Sequence, residues 1–257
     1  MQTIGILAAM PQERDALLHL VKPRQRLALG PFRCQHFRLS DRDCWLVTSG
    51  MGPERAARAA HALLEAAHPQ VLVSFGIAGA VNADLEIGDV LACRVTGRFD
   101  QGRLSPLQPL SHLSEAAWNA AAQALQPHSA HLLPGTAVST SGSLVIPPAT
   151  DPLENPVLEM ETARIARVAV ENGLPLLSLR SISDGPRAPI PFNLEAMMDD
   201  EYNLRIGKII IVLLSHPSLL SRLLRMGRNT DIAAHNAAIA LVAALSQPGE
   251  ITAKNIP

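Results

Sequence analysis

The segment that most constrains the fold runs from Val157 to Gly185, VLEMETARIARVAVENGLPLLSLRSISDG. VLEM is short, apolar and partly β-branched, which is the pattern of a buried strand. Glu161 stands where that strand stops and a helix begins. Ile165, Val168 and Val170 recur at helical spacing until Asn172-Gly173 closes the helix. LPLLSLRSI is the next strand, ending at Ser183-Asp184 before Gly185-Pro186. A strand, a helix and a strand with short connections predict a right-handed parallel βαβ unit. Both strand ends then face one edge of the sheet, and Glu161 and Asp184 converge on one crevice. Either acid alone has an ordinary explanation, as a helix-start residue favoured by the dipole or as a loop cap.

Upstream, Thr3–Ala8 (TIGILA) reads as a strand, and Met10-Pro11-Gln12-Glu13 opens a helix with proline in its first turn. Two strands are expected over Phe32–Leu39 and Cys44–Val47, joined by Ser40–Asp43. Ser49-Gly50-Met51-Gly52 then leads into an alanine-rich helix to about Ala67; such a loop is either a tight turn or an anion cradle. Val71–Phe75 is a central strand followed by Gly76-Ile77-Ala78-Gly79-Ala80, small residues that let backbone approach a ligand. Ser114 is placed to cap a helix reaching Leu125, and His131–Ser139 returns to strand. Beyond Asp184 come a loop to about Pro191 and helices broken near His216-Pro217 and Gly227.

With 47% hydrophobic residues, 257 residues can bury one large core. A single domain over residues 1–246 is expected, with a loose tail at 247–257. A formal net charge of -1 gives no electrostatic case for nucleic acid. Cys34, Cys44 and Cys93 have no metal-ligand spacing, so no metal is expected and a reducing cytoplasm is the simplest compartment. The N-terminus shows no secretion signal, and no apolar run reaches the length of a spanning helix.

LEMET, followed by RSISDG, together with GILAAMPQE, SGMG and GDVL, resembles the nucleoside phosphorylase and nucleosidase superfamily, especially 5'-methylthioadenosine/S-adenosylhomocysteine nucleosidases. The resemblance implies a three-layer α/β phosphorylase-type fold with a mixed twisted sheet flanked by helices, here with extra C-terminal helices. It implies Glu13 as the base that activates the attacking water and Asp184 as the acid that protonates the leaving purine. Glu161 falls on the position that holds the ribose hydroxyls, with Met160 under the ring and Glu159 and Ser183 beside them. Phe75, Gly76 and Ile77 match the loop that lines the ribose and the nucleophile. The sequence departs there, placing Ile77 where the family has a hydroxyl residue and Phe75 where it has a small polar one. The family's purine-stacking aromatic is also missing from TSGSLVIPP, leaving Leu144 and Val145 to sandwich the base. Phe192, past Asp184, completes the substrate-binding candidates. No cofactor is implied.

The C-terminal third, with HPSLLSRLLRMGR, looks more like hopanoid-associated phosphorylases of the same superfamily, implicated in removing adenine from adenosylhopane. From Lys208 to Arg228, apolar residues alternate with arginines. That is the composition of a core or dimer-interface helix, or of a helix lying on a membrane surface. A homodimer and a small nucleoside substrate are the expected partners, with peripheral contact at the inner membrane as the second reading of this segment. Two functions stay in view: cleavage of the N-glycosidic bond of a 5'-substituted adenosine, and nucleoside binding without catalysis on the same fold. Hydrolysis and phosphorolysis both remain open. Arg14, Arg94 and Arg180 are the arginines available to hold an anion.

Overall fold

The computed structural model describes residues 1–140, 153–186 and 219–248, excluding the side chains of 219–222. Leu144, Val145, Phe192 and the apolar run at 209–214 lie outside the described residues, as does the tail beyond 248. Strand β1 (Gln2–Ala8) leads into α1 (Pro11–Leu20), followed by β2 (Gln25–Leu29), β3 (Phe32–Leu39) and β4 (Arg42–Thr48). Helix α2 (Pro53–Ala67) precedes β5 (Val71–Ala80), β6 (Val90–Asp100) and the short β7 (Arg103–Leu104) and β8 (Gln108–Pro109). Then come α3 (Glu115–Leu125), β9 (Leu132–Thr140), β10 (Pro156–Glu159), α4 (Thr162–Glu171), β11 (Leu176–Asp184) and α5 (Leu219–Leu245). Ser114 caps α3 as expected, its side chain accepting from the Ala117 amide at 3.2 Å.

The strands form one mixed sheet in the order β10-β9-β6-β11-β5-β1-β4-β3-β2. Alternation along the central strands serves two cores. Ile4, Ile6, Val71, Val73 and Phe75 face α1, α3 and α5, while Leu7, Val47 and Leu72 face α2 and α4. The result is three layers, with buried alanines on α2 and α5 letting those helices approach closely.

The sequence predicts β10 and β11 as parallel neighbours, and the structure overturns that. They are separated by β9 and β6, and because β6 pairs antiparallel with β11 they run in opposite directions. Their ends meet through β5, which is longer than expected because it continues through the glycine segment. Gly79 is paired with Asp184 of β11 on one side and with Leu158 of β10 on the other. That second pairing closes β5, β11, β6, β9 and β10 into a ring. On the same edge of β5, pairing with β1 stops at Phe75 and pairing with β10 starts at Gly79. Gly76, Ile77 and Ala78 therefore face a gap where the neighbouring strand changes, and ligand crevices open at such switch points in α/β sheets.

Gly227 does not break the C-terminal helix: α5 runs through it. A glycine inside a helix costs about 1 kcal/mol, which packing elsewhere on the helix offsets. Asn236 of α5 donates from its side chain to Gly88 O at 2.9 Å, holding the turn that feeds β6. Asp89 in that turn is structural. Its carboxylate accepts from the amides of Glu86 and His131, both at 3.0 Å.

Candidate active site

Glu13 is not a surface acid. It lies in the first turn of α1, is 2% exposed, and projects into the gap beside β5. Its Oε2 accepts from the Met10 amide at 2.8 Å and its Oε1 from the Ile77 amide at 3.0 Å. The contact with Ile77 is through backbone, so the apolar side chain at that position does not disturb it. Burial raises the Glu13 carboxyl above its ordinary pKa, opposed by the charge of Arg180 and by its backbone hydrogen bonds. A Cβ at Gly76 would collide with Glu13 Oε1 and Arg180 Nη1, so this approach requires glycine.

On the other edge of β5, Asp184 ends β11. Ser183 Oγ donates to its Oδ1 at 2.7 Å, and a Cβ at Gly79 would lie 2.6 Å from its Oδ2. Burial raises its pKa, with the Ser183 hydrogen bond opposing. No neighbouring acid contributes to that shift; burial is what raises it.

Glu161 precedes α4. It is 7% exposed, accepts from the Gly52 amide at 2.9 Å, and so ties the SGMG turn to the crevice. Burial, then the charge of Glu159, push its carboxyl up to about 7. Met160 is half-buried beside it.

Two residues expected in the substrate set have other positions. Glu159 lies beneath the crevice with its side chain 1% exposed. Its carboxylate accepts from Ser139 Oγ, the Glu161 and Thr162 amides, Thr162 Oγ1 and Arg180 Nη2. It thus seats the start of α4 and anchors Arg180. Phe75 is fully buried in the core on the α1, α3 and α5 face, because the pleat that turns Gly76 towards Glu13 turns Phe75 away. Ile77 and Gly76 do line the gap, and Ser183 supports Asp184.

Arg180 is the centre that sequence reasoning did not resolve. It is 2% exposed, forms an ion pair with Glu159 at 2.9 Å, and donates to Ser74 Oγ and Thr162 Oγ1 at 2.5 and 2.9 Å. The charges of Glu159, Glu161 and Glu13 all favour its charged form. An arginine inside the apolar strand LPLLSLRSI was the available signal, since a buried charge must be paired. The other two arginines are elsewhere: Arg14 pairs with Asp15 at 2.7 Å, and Arg94 lines a separate cavity.

The sequence pattern of the Phosphorylase superfamily matches residues 3–215. The chain belongs to that superfamily. Among its relatives, a 5'-methylthioadenosine/S-adenosylhomocysteine nucleosidase of Haemophilus influenzae (strain PittEE) is 27% identical over 197 residues, covering 71% of this chain and 86% of the relative. One of Actinobacillus succinogenes is 26% identical over 202 residues, covering 70% and 85%. The fold is shared with the nucleosidase of that name from Neisseria meningitidis, solved with methylthio-immucillin-A (TM-score 0.69, 18% identity, covering 96% of this chain and 99% of that one). It is shared equally with futalosine hydrolase of Helicobacter pylori (TM-score 0.67, 21% identity, covering 95% and 97%). In this phosphorylase-superfamily chain the acids of the crevice come from three separate stretches, at the end of β11, before α4 and in α1.

Proposed function

We propose that this protein is a nucleosidase that hydrolyses the N-glycosidic bond of an adenosine-type nucleoside. The carrying observation is Glu13, a buried carboxylate clamped by two backbone amides against Gly76 of β5, the strand whose Gly79 abuts the Asp184 carboxylate. Glu13 orients one water and takes its proton while the water oxygen bonds to the anomeric carbon. Asp184 delivers its proton to the purine nitrogen as the bond from that carbon to the base breaks. Glu161 accepts hydrogen bonds from the ribose hydroxyls, and its charge favours the cationic sugar of the transition state. The names of the relatives, nucleosidases and a futalosine hydrolase, support the same reaction class.

Charge favours water over phosphate as the nucleophile. Glu13, Glu159 and Glu161 surround the guanidinium of Arg180, which is already paired with Glu159. A phosphate dianion entering there finds that cation already committed to a carboxylate. Product analysis tests this directly: adenine and a free sugar, at a rate independent of phosphate, are expected. Phosphate-dependent turnover giving a sugar 1-phosphate would overturn the hydrolytic reading.

For the 5' group we propose a bulky apolar substituent of the adenosylhopane type. The support is the sequence of the C-terminal third, apolar residues alternating with arginines from Lys208 to Arg228. Among the described residues no helix is long and apolar enough to cross a membrane. A site devoted to such a substituent draws binding energy from it, so a long-chain 5'-alkyl adenosine should outperform 5'-methylthioadenosine in kcat/KM. Equal or reversed preference removes the hopanoid-type substrate and leaves the nucleosidase.

A further inference from the structure

A cavity of about 290 Å³ lies outside the crevice, between β6, β11 and α3. It is a built gap in the sheet. β6 and β11 are paired only from Leu179/Ala92 to Ser181/Val90. Beyond that point β6 shifts register between Cys93 and Val95, and the turn before α3 completes the two strands separately. Leu110 donates to Arg94 O at 2.8 Å and Ser111 to Leu176 O at 2.9 Å. Ser178, which lines the cavity, is six residues before Asp184 along β11, so the two are roughly 20 Å apart at about 3.3 Å per residue.

Leu113, Trp118, Leu177 and Leu179 give the cavity apolar and aromatic walls. Arg94 also lines it, with its side chain 52% exposed and only a loose ion pair to Glu154 at 3.8 Å. An exposed pair of that kind contributes little and yields readily to another carboxylate. A ring-sized apolar space with an aromatic wall and, among the described residues, a loosely paired guanidinium at its lining has the composition of a small-molecule site.

We infer that this cavity is a second ligand site, one for a small carboxylic acid with a ring-sized apolar body. The carboxylate pairs with Arg94 and the body packs against Trp118 and the leucines. Benzoate is the probe, with neutral benzamide as its isostere. At about 0.3 kcal/mol per heavy atom, benzoate should bind with a Kd on the order of 10 mM.

The sequence contains two tryptophans, Trp45 and Trp118, so intrinsic fluorescence locates the binding event. Benzoate should change the fluorescence saturably in the wild type and in Trp45→Phe, and not in Trp118→Phe. Arg94→Gln should weaken benzoate roughly fivefold, the equivalent of about 1 kcal/mol, and leave benzamide unaffected. Saturating adenine should leave the benzoate titration unchanged. The proposal is overturned by the lack of a saturable change up to roughly 50 mM, five times the Kd that the ligand's size allows. It is equally overturned by benzoate binding that survives Arg94→Gln intact, that reports through Trp45, or that adenine displaces.

Discussion

At the scale of single residues, the crevice depends on what Glu13, Asp184 and Glu161 each lack as much as on what they hold. Burial raises the Asp184 carboxyl above its ordinary pKa against the opposing Ser183 hydrogen bond, the direction that suits a proton donor. Asp184→Asn should lower kcat by about 10² to 10⁴ with little change in substrate binding; near-normal turnover would remove it from the acid role. Glu161 has one strong backbone bond and spare lone pairs, so Glu161→Gln should damage cleavage of ribosides more than of their 2'-deoxy analogues. Equal losses on both would detach Glu161 from the hydroxyls. Gly76 contributes only space. Gly76→Ala should cost activity on the scale of a displaced catalytic group, roughly 10²-fold in kcat/KM, because its methyl meets both Glu13 and Arg180. A fully active Gly76→Ala enzyme would mean the carboxylate is not held where the structure has it.

At the scale of elements, helix α5 steadies the strand that carries the acid. Asn236 of α5 bonds Gly88 O, Gly88 N bonds Ile182 O, and Ile182 N bonds Asp89 O, two residues short of Asp184. Asn236→Ala leaves a buried carbonyl unpaired and should destabilise the fold by about 1–3 kcal/mol, measured by urea unfolding. Unchanged stability would show that α5 only covers the sheet. This long-range dependence also marks the limit of what the sequence reveals. β1, β3, α2, α4 and β11 were legible within a residue or two because their periodicity and breakers are local. The ends of β10 and β11 do meet, at Gly79 of β5, although not as the parallel neighbours that the pattern suggests. A strand-helix-strand pattern says nothing about which strands intervene, so ring closure through Gly79 could not be read from it. Glu159 shows the same limit: spacing places it next to Glu161, but only the hydrogen bonds from Ser139, Thr162 and Arg180 reveal that its carboxylate is committed to the protein.

At the scale of the whole molecule, burying these acids trades stability for chemistry, and the trade has a direction in pH. Glu161 rises from 4.5 to about 7 on folding, and Glu13 and Asp184 also rise. A raised carboxyl keeps a proton in the folded state that the unfolded chain has released. Its contribution is therefore fully present below the unfolded pKa and is lost as pH climbs through the folded one. The ligand-free protein should accordingly lose Tm progressively from about pH 4.5 to somewhat above pH 7, the reverse of a protein held by salt-bridged carboxylates. Glu161→Gln removes one of these titrations, so it should flatten the slope near pH 7 and raise Tm at pH 8 while lowering activity. Such a gain in stability with a loss of function is what a site maintained for catalysis predicts. A Tm that rises with pH over this window, or a Glu161→Gln protein with the wild-type slope, would show that the crevice is already neutralised by Arg180 and solvent.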